Sequence, residues 1–299
     1  MFSLIIPSFN NYQYLKITIE SILKTSKLDN EILVHVNEDR DNKTRKYLDL
    51  NKIDYTYSDK NIGLCSSINI IAKKCKNHYI IYSHDDMYFC PNWDVELEKE
   101  IKSLNHKLFY LSGSMIEPYS GHIKFFCGEN IDEFDEQKLL SNLNSLNIDD
   151  HQGSHFAPHC IHKDIWNKIG GFSEEFNPGI GSDPDLNMKL WNEGVRIFKG
   201  LNNCKIYHFG SIVTRAYKNH PTIITESGSK GGKIFLMKWG ISINFFKKFY
   251  LKSDILYDGP LKEPKKVLNY FIRLFICKLN FFYIKFIYKK DLNFNLKKK

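Results

Sequence analysis

Two adjacent carboxylates, Asp85 and Asp86, follow the short run Tyr79-Ile80-Ile81-Tyr82, with His84 directly before them. The run is apolar and β-prone and reads as a buried strand. In an open α/β sheet the carboxyl end of a strand is where ligands bind. Two carboxylates there repel each other unless a cation or a proton intervenes. Oxygen-rich sites of this kind hold Mg²⁺ or Mn²⁺, often with substrate phosphates in the shell. The same pair could equally be a solvated turn whose Asp caps the next helix. A third carboxylate, Asp183, stands before Pro184. It can be an N-cap ahead of a proline at N1, or a base on the rigid mount of a helix terminus. His208 follows the predicted strand Asn203 to Tyr207 and is either a structural histidine or a ligand.

The elements that must position these groups alternate along the first ninety residues. Phe2 to Ile6 reads as a buried strand closed by Pro7. Apolar residues at 15, 19, 22 and 23 give Tyr14 to Lys24 a helical spacing. Strands are predicted over Glu31–Asn37 and Ile53–Tyr57, and helices over Lys43–Leu50 and from Asn61 to Cys75. A β-α-β-α-β-α-β series of this kind implies an α/β fold with a mostly parallel central sheet flanked by helices. Trp93 opens another helix and Leu108–Met115 another strand. The polar stretch from there to Gln152 shows no clear period. Asn187 to Gly194 is an amphipathic helix.

The 299 residues, 42% hydrophobic, suffice for a large core. Seven cysteines without a Cys-x-x-Cys pair argue for buried thiols in a reducing compartment. The N-terminus lacks the basic and apolar regions of a signal peptide, so a cytoplasmic location is expected. The net charge is +8, but residues 262–299 hold eleven basic and two acidic side chains, a surplus of +9. The body is therefore near −1, which excludes a nucleic-acid reading of the overall charge.

The order of these signals resembles the family 2 inverting glycosyltransferases of GT-A fold. Pro7-Ser8-Phe9-Asn10 is similar to that family's first turn. Glu31 to Asp41 matches its second strand and acidic turn, Asn61-x-Gly63 with Asn69 its Asn-x-Gly…Asn helix, and His84-Asp85-Asp86 its metal-binding Asp-x-Asp. Gly170-Gly171-Phe172-Ser173-Glu174 and Ser182-Asp183-Pro184-Asp185-Leu186 resemble its second block, His208-x-x-Ser211 its late histidine, and Phe235-Leu236-Met237-Lys238-Trp239-Gly240 its last motif. The resemblance implies Mn²⁺ or Mg²⁺ held by Asp86, Asp85 and His208, with Asp183 as the general base. It implies a nucleotide-sugar donor, UDP favoured, contacting Pro7, Ser8, Asn10, Asn37, Asn61, Gly63, Asn69 and His84. The acceptor, a glycan or a lipid-linked hydroxyl of surface polysaccharide synthesis, would meet Gly171, Phe172, Ser182 and Asp185. Four positions depart from the pattern: His84 replaces a carboxylate, Ile68 an arginine, Ser182 a glutamate and Asn37 an aspartate.

Residues 1–240 are then the GT-A unit, with 1–115 binding the donor and 116–240 shaping the acceptor site, and 241–299 form a basic helical tail. Leu268, Ile272, Phe275, Leu279, Phe282 and Phe286 share one helical stripe, with Lys266, Arg273, Lys278, Lys285 and Lys289 to its sides. Charges at that frequency argue against a span and for an anchor on an anionic membrane surface, peripheral at the inner face. A helix packed on the catalytic domain, or a dimer contact, is the alternative. Two other functions compete. A nucleotidyltransferase would need a Gly-rich basic loop after the first strand, where Asn10-Asn11-Tyr12 stands. An inactive sugar-binding scaffold would need a broken acid set, whereas Asp86, Asp183 and His208 are all present.

Overall fold

The computed structural model describes residues 1–153, 157–210, 221–253 and 255–287, with the backbone alone for 221–229 and 287. Strands β1 (Phe2–Ser8), β2 (Glu31–Asn37), β3 (Asp54–Ser58) and β4 (Tyr79–Tyr82) pair in parallel in the order β3-β2-β1-β4. Between them run helices α1 (Tyr12–Thr25), α2 (Lys43–Leu50) and α3 (Leu64–Ala72). Every residue of β1 is buried, as expected of a parallel strand covered on both faces. Pro7 is tolerated inside it because β4 pairs no further along β1 than Ile5. Past that point the missing N–H faces no ladder.

The sheet continues as β9-β6-β10-β5, where β5 is Met87–Phe89, β6 Phe109–Glu117, β9 His159–His162 and β10 Ile197–His208. Strand β9 runs antiparallel to both β4 and β6, and β5 antiparallel to β10. The sheet is thus mixed but mostly parallel: β1, β2, β3, β4, β6 and β10 share one direction, and β9 and β5 run against it. The reversal comes from β9, which re-enters the sheet after the long excursion of residues 118–158. That excursion carries two short strands, β7 (Ile123–Lys124) and β8 (His151–Gln152), and helix α5 (Glu136–Asn142). Helix α4 (Trp93–Leu104) lies between β5 and β6. The later helices are α6 (Lys163–Ile169), α7 (Ser182–Asn192), α8 (Pro221–Trp239), the single turn α9 (Ile243–Phe246) and α10 (Leu268–Ile287).

The three-residue strand β5 has no outer neighbour in the sheet. Helix α1 supplies one: Thr18 Oγ1 accepts from the Met87 N–H at 3.0 Å and Ser21 Oγ from the Phe89 N–H at 3.0 Å. Side-chain hydroxyls thereby satisfy an edge that would otherwise be open. They also fix the turn carrying Asp85 and Asp86.

One continuous apolar cluster runs from Phe2 to Ile284, so residues 1–115 and 116–240 share a core. Helix α10 joins it through Tyr270, Cys277 and Ile284, all less than a tenth exposed. Its opposite face bears Leu268, Phe275, Leu279, Phe282 and Phe286, each more than half exposed. The helix therefore packs on the body and presents an apolar face outward as well. Among the described residues no helix is long and apolar enough to cross a membrane. Lys289 and Ser211 lie outside the described residues. All seven cysteines are free and buried.

Candidate active site

The carboxyl ends of β1, β4, β6 and β10 converge on the His84-Asp85-Asp86 turn. β10 ends opposite the start of β5, with His208 paired to Met87, and the Phe209 N–H donates to the Asp86 carbonyl at 3.1 Å. His208 is therefore delivered to Asp86 by strand pairing. Its Nε2 lies 3.3 Å from Asp86 Oδ1, and its Nδ1 lies 2.5 Å from Glu117 Oε1 at the end of β6. Among the described residues His84, Asp86 and His208 offer ligand atoms all within 4.8 Å of one another.

Burial draws the His208 pKa down, but Asp86 and then Glu117 outweigh it and raise it to about 9. An imidazolium there donates one N–H to each carboxylate, and to ligate a cation it would release the Nε2 proton. His84 is lowered by burial against the opposing pull of Asp86, which keeps it a neutral imidazole with a lone pair to offer. Burial and then the charge of Asp86 push Asp85 upward. Its Oδ2 is buried with no hydrogen-bond partner, as are Ser8 Oγ and Asn11 Nδ2, the two groups that face it. Buried polar atoms are rarely left so. A divalent cation bearing a diphosphate fits this set: two carboxylates and two imidazoles on one side, a hydroxyl and an amide on the other. Glu117 holds the far nitrogen of His208, the usual support of a ligating histidine.

Asp183 reaches the same end of the sheet from α7. It is not the N-cap: that position is Gly181, with no side-chain capping bond, and Asp183 sits within the first turn. The helix starts earlier than its Asp-Pro sequence suggests because Gly181, at φ +89°, makes the turn with its backbone. The Asp183 carboxylate instead accepts from His159 Nε2, 3.3 Å from Oδ1, and its side chain is 35% exposed. His159 opens β9 opposite Tyr82, the last residue of β4, which places it beside the His84-Asp85-Asp86 turn. A partly exposed carboxylate held at a helix start can accept a proton from a bound hydroxyl.

The residues expected to contact an acceptor are placed differently. Asp185 has no exposed surface; it accepts from Ser173 Oγ at 2.5 Å and Trp239 Nε1 at 2.8 Å, and Lys238 Nζ lies 2.9 Å away. It anchors the Lys238-Trp239 end of α8 rather than a ligand. Ser182 is also fully buried, donating to the Gly179 carbonyl at 2.5 Å, and Phe172 is 2% exposed against Tyr82. Gly171 packs against Asn69 and Trp166.

The donor set divides in two. Pro7 and Ser8 end β1, Ser8 beside Asp85, and His84 adjoins that carboxylate in sequence, while Asn10, at φ +48°, accepts from the Arg40 N–H at 3.1 Å. Asn37, Asn61, Gly63 and Asn69 are engaged with the protein. Asn37 Nδ2 donates to Asn61 Oδ1 at 2.8 Å, while Asn37 Oδ1 accepts from the Ile62 N–H at 2.8 Å. Asn69 holds both backbone groups of Phe172, at 2.8 and 2.9 Å. At Gly63 a Cβ would overlap the side chain of Asn177, whose Oδ1 caps α3 by accepting from the Cys65 N–H at 2.9 Å. Sequence reasoning passed over Asn11, Tyr110, Glu117, His159 and Asn177. Of these Glu117 carried a readable signal, a carboxylate at the carboxyl end of a buried strand.

A family model described as Glycosyl transferase family 2 matches residues 3–153. An uncharacterized glycosyltransferase of Rickettsia typhi (strain ATCC VR-144 / Wilmington) is 30% identical over 267 residues, 86% of this chain and 75% of the relative. Another, from Rickettsia prowazekii (strain Madrid E), is 30% identical over 199 residues, 63% of this chain and 58% of the relative. Among solved structures, S. aureus TarS 1-349 gives a TM-score of 0.57 at 12% identity over 99% of this chain and 75% of that one. The complex of TarS 1-349 with UDP-GlcNAc gives 0.54 at 13% identity over 97% and 74%. At such identity the likeness to TarS is one of fold.

Proposed function

The chain belongs to glycosyl transferase family 2, with the α/β fold of the GT-A glycosyltransferases, and we propose on that premise that it is an inverting enzyme using a UDP-sugar. The observation that carries the proposal is that two acid sets meet about His84, whose ring feels the charges of both Asp86 and Asp183: Asp85, Asp86 and His208 at the strand ends, and Asp183 at the start of α7. Solved complexes of TarS with UDP and UDP-GlcNAc support the donor class.

In this reading Ser8 and Asn11 hold the donor beside Asp85, with Pro7 and Asn10 forming the wall at the end of β1. Mn²⁺ or Mg²⁺ bound by Asp86, Asp85 and His208 would supply charge neutralisation at the leaving diphosphate. Asp183 takes the proton of the acceptor hydroxyl as its oxygen bonds to the anomeric carbon from the face opposite the leaving group. The bond from that carbon to the diphosphate oxygen breaks, and its electron pair leaves with UDP. A single displacement inverts the carbon. Glu117 orients His208, and Asp185 positions α8 beneath the base.

Residues 1–240 are read as the catalytic unit and 241–299 as its extension. The acceptor is read as a glycan or lipid-linked hydroxyl of surface polysaccharide synthesis, which the family resemblance supports. The exposed apolar face of α10, flanked by Arg273, Lys278 and Lys285 with no acidic residue on the helix, supports peripheral contact with an anionic membrane surface on the cytoplasmic side.

Titrating UDP into the protein with Mn²⁺ or with EDTA tests the assignment. Wild type should bind in a metal-dependent way, and Asp86→Ala should lose that dependence while keeping its melting temperature within a few degrees. Equal UDP affinity in wild type with and without EDTA would overturn it.

A further inference from the structure

We propose that His159 and Tyr110 are positioning residues for Asp183, forming a directed hydrogen-bond chain from phenol to imidazole to carboxylate. The inference rests on Asp183 being the base. It adds two residues from strands far away in sequence that no motif marks.

The direction of the chain follows from what each group can donate. An ionised carboxylate accepts only, so His159 Nε2, 3.3 Å from Asp183 Oδ1, must carry a hydrogen. A neutral imidazole has one N–H, so Nδ1 is then an acceptor. Tyr110 Oη makes a short hydrogen bond to that Nδ1, and a phenol can supply the proton the nitrogen needs. Burial, and after it the charge of Asp183, hold the Tyr110 pKa well above 10, so the phenol keeps its proton. Neither ring has freedom to turn. Tyr110 is wholly buried and His159 1% exposed, with ring centroids 4.9 Å apart, and Tyr82 flanks the imidazole at 5.6 Å. Among the described residues Tyr82 on β4, His84 in the turn and Cys65 on α3 also face this chain.

Two consequences follow. A carboxylate on the first turn of a helix can rotate about its side-chain bonds, and a bond to one oxygen from an immobile N–H removes that freedom. Misplacement of a reacting group by an ångström costs about a hundredfold in rate. Donation to the charged form also lowers the pKa of the base, keeping it ionised when the acceptor arrives.

Four variants and two readouts test the chain. Nitrogen NMR of histidine-labelled protein, with the His159 signal assigned by its loss in His159→Gln, should show the neutral Nε2–H tautomer at neutral pH. A fixed Nδ1–H tautomer or an imidazolium at that position overturns the proposal, whatever the donor. In turnover of UDP-GlcNAc with Mn²⁺, His159→Phe should lower kcat about 10- to 100-fold with KM and UDP affinity kept. His159→Gln, whose amide can donate near the Nε2 position, should recover part of that loss. Tyr110→Phe should move the acid limb of the kcat profile to higher pH. If Asp183→Asn is inactive while His159→Phe stays within twofold of wild type, the chain is structural and the proposal fails, though the base assignment stands. If Asp183→Asn keeps full turnover, the base assignment fails and takes the chain with it. Should His159→Phe not fold, the Tyr110→Phe acid limb decides, and an unmoved limb overturns the proposal.

Discussion

Replacing Asp183 by Asn separates catalysis from architecture, because the structure assigns that side chain very little architecture. It is not the N-cap of its helix: Gly181 holds that place and the carboxylate lies inside the first turn. Asn keeps an oxygen able to accept from His159 Nε2, so the 3.3 Å contact can persist. What disappears is one negative charge near a helix N-terminus, worth about 0.3–1 kcal/mol, less at a side chain 35% exposed to screening solvent. In a chain of this size that moves the melting temperature by roughly 3 °C or less. An amide cannot accept the acceptor proton, so turnover should fall about 10²–10⁴-fold, which is about 3–5 kcal/mol of barrier. The catalytic loss thus exceeds the stability loss severalfold. The assay measures kcat with UDP-GlcNAc and Mn²⁺, UDP affinity and melting temperature on one preparation. Turnover within tenfold of wild type, or a melting point lowered by more than about 6 °C together with lost UDP binding, would refute the reasoning.

Three further outcomes are expected. His35 on β2 has no exposed surface, and burial lowers its pKa to about 4; its contribution to stability is therefore complete above pH 6.5 and is lost as pH falls from there toward 4. The ceiling of this effect is near 3 kcal/mol, which screening reduces to roughly 2, and chemical denaturation of His35→Gln should show a correspondingly flatter acid slope. Asp85→Asn removes a buried carboxylate oxygen without a partner and the repulsion between neighbouring acids, so it should raise the melting temperature at neutral pH while weakening UDP binding with Mn²⁺; a lowered melting temperature would contradict the account. Full-length protein should bind anionic vesicles less tightly at high salt, and Phe275→Ser with Phe286→Ser should abolish co-sedimentation without unfolding. Those exposed side chains make a cleaner test than truncation, which would also uncover the buried side of α10.

The first ninety residues were legible because each element announces its period. The all-apolar interior of β1, the spacing on α1 and the run ending at Tyr82 all lie where the sequence predicts them. Strand β5 was missed because three residues carry no period, and its second edge is closed by hydroxyls on α1, sixty-eight positions away in sequence for Ser21. The acidic turn was visible as Asp85-Asp86, yet Glu117 was not, since its contact with His208 exists only once β6 and β10 lie side by side. The same holds for His159, placed beside Tyr82 by the reversed strand β9. Asp183 was ambiguous locally: Asp before Pro fits a cap as well as a base, and only the fold shows Gly181 in the cap position.

The reassignment of the asparagines bears on how the site is kept in register. Asp85 and Asp86, proposed as metal ligands, and Asp183, proposed as the base, come from opposite halves of residues 1–240, so the distance between them depends on the seam. That seam is built from the motif residues expected to touch the donor. Asn69 on α3 clamps the backbone of Phe172, and Asn177 returns the contact by capping α3 at Cys65 and donating to Ser66 Oγ at 2.8 Å. Gly63 is required because any larger residue would displace Asn177. A further close approach fixes α8: a Cβ at Gly231 would overlap the Ile180 carbonyl, just before the turn that starts the Asp183 helix. Reciprocal amide-to-backbone bonds are short and directional, and they resist sliding better than apolar contact does. The Asn-x-Gly…Asn and Gly-Gly-Phe motifs are therefore spaced as they are because each is half of one joint, and the chemistry on either side depends on that joint staying closed.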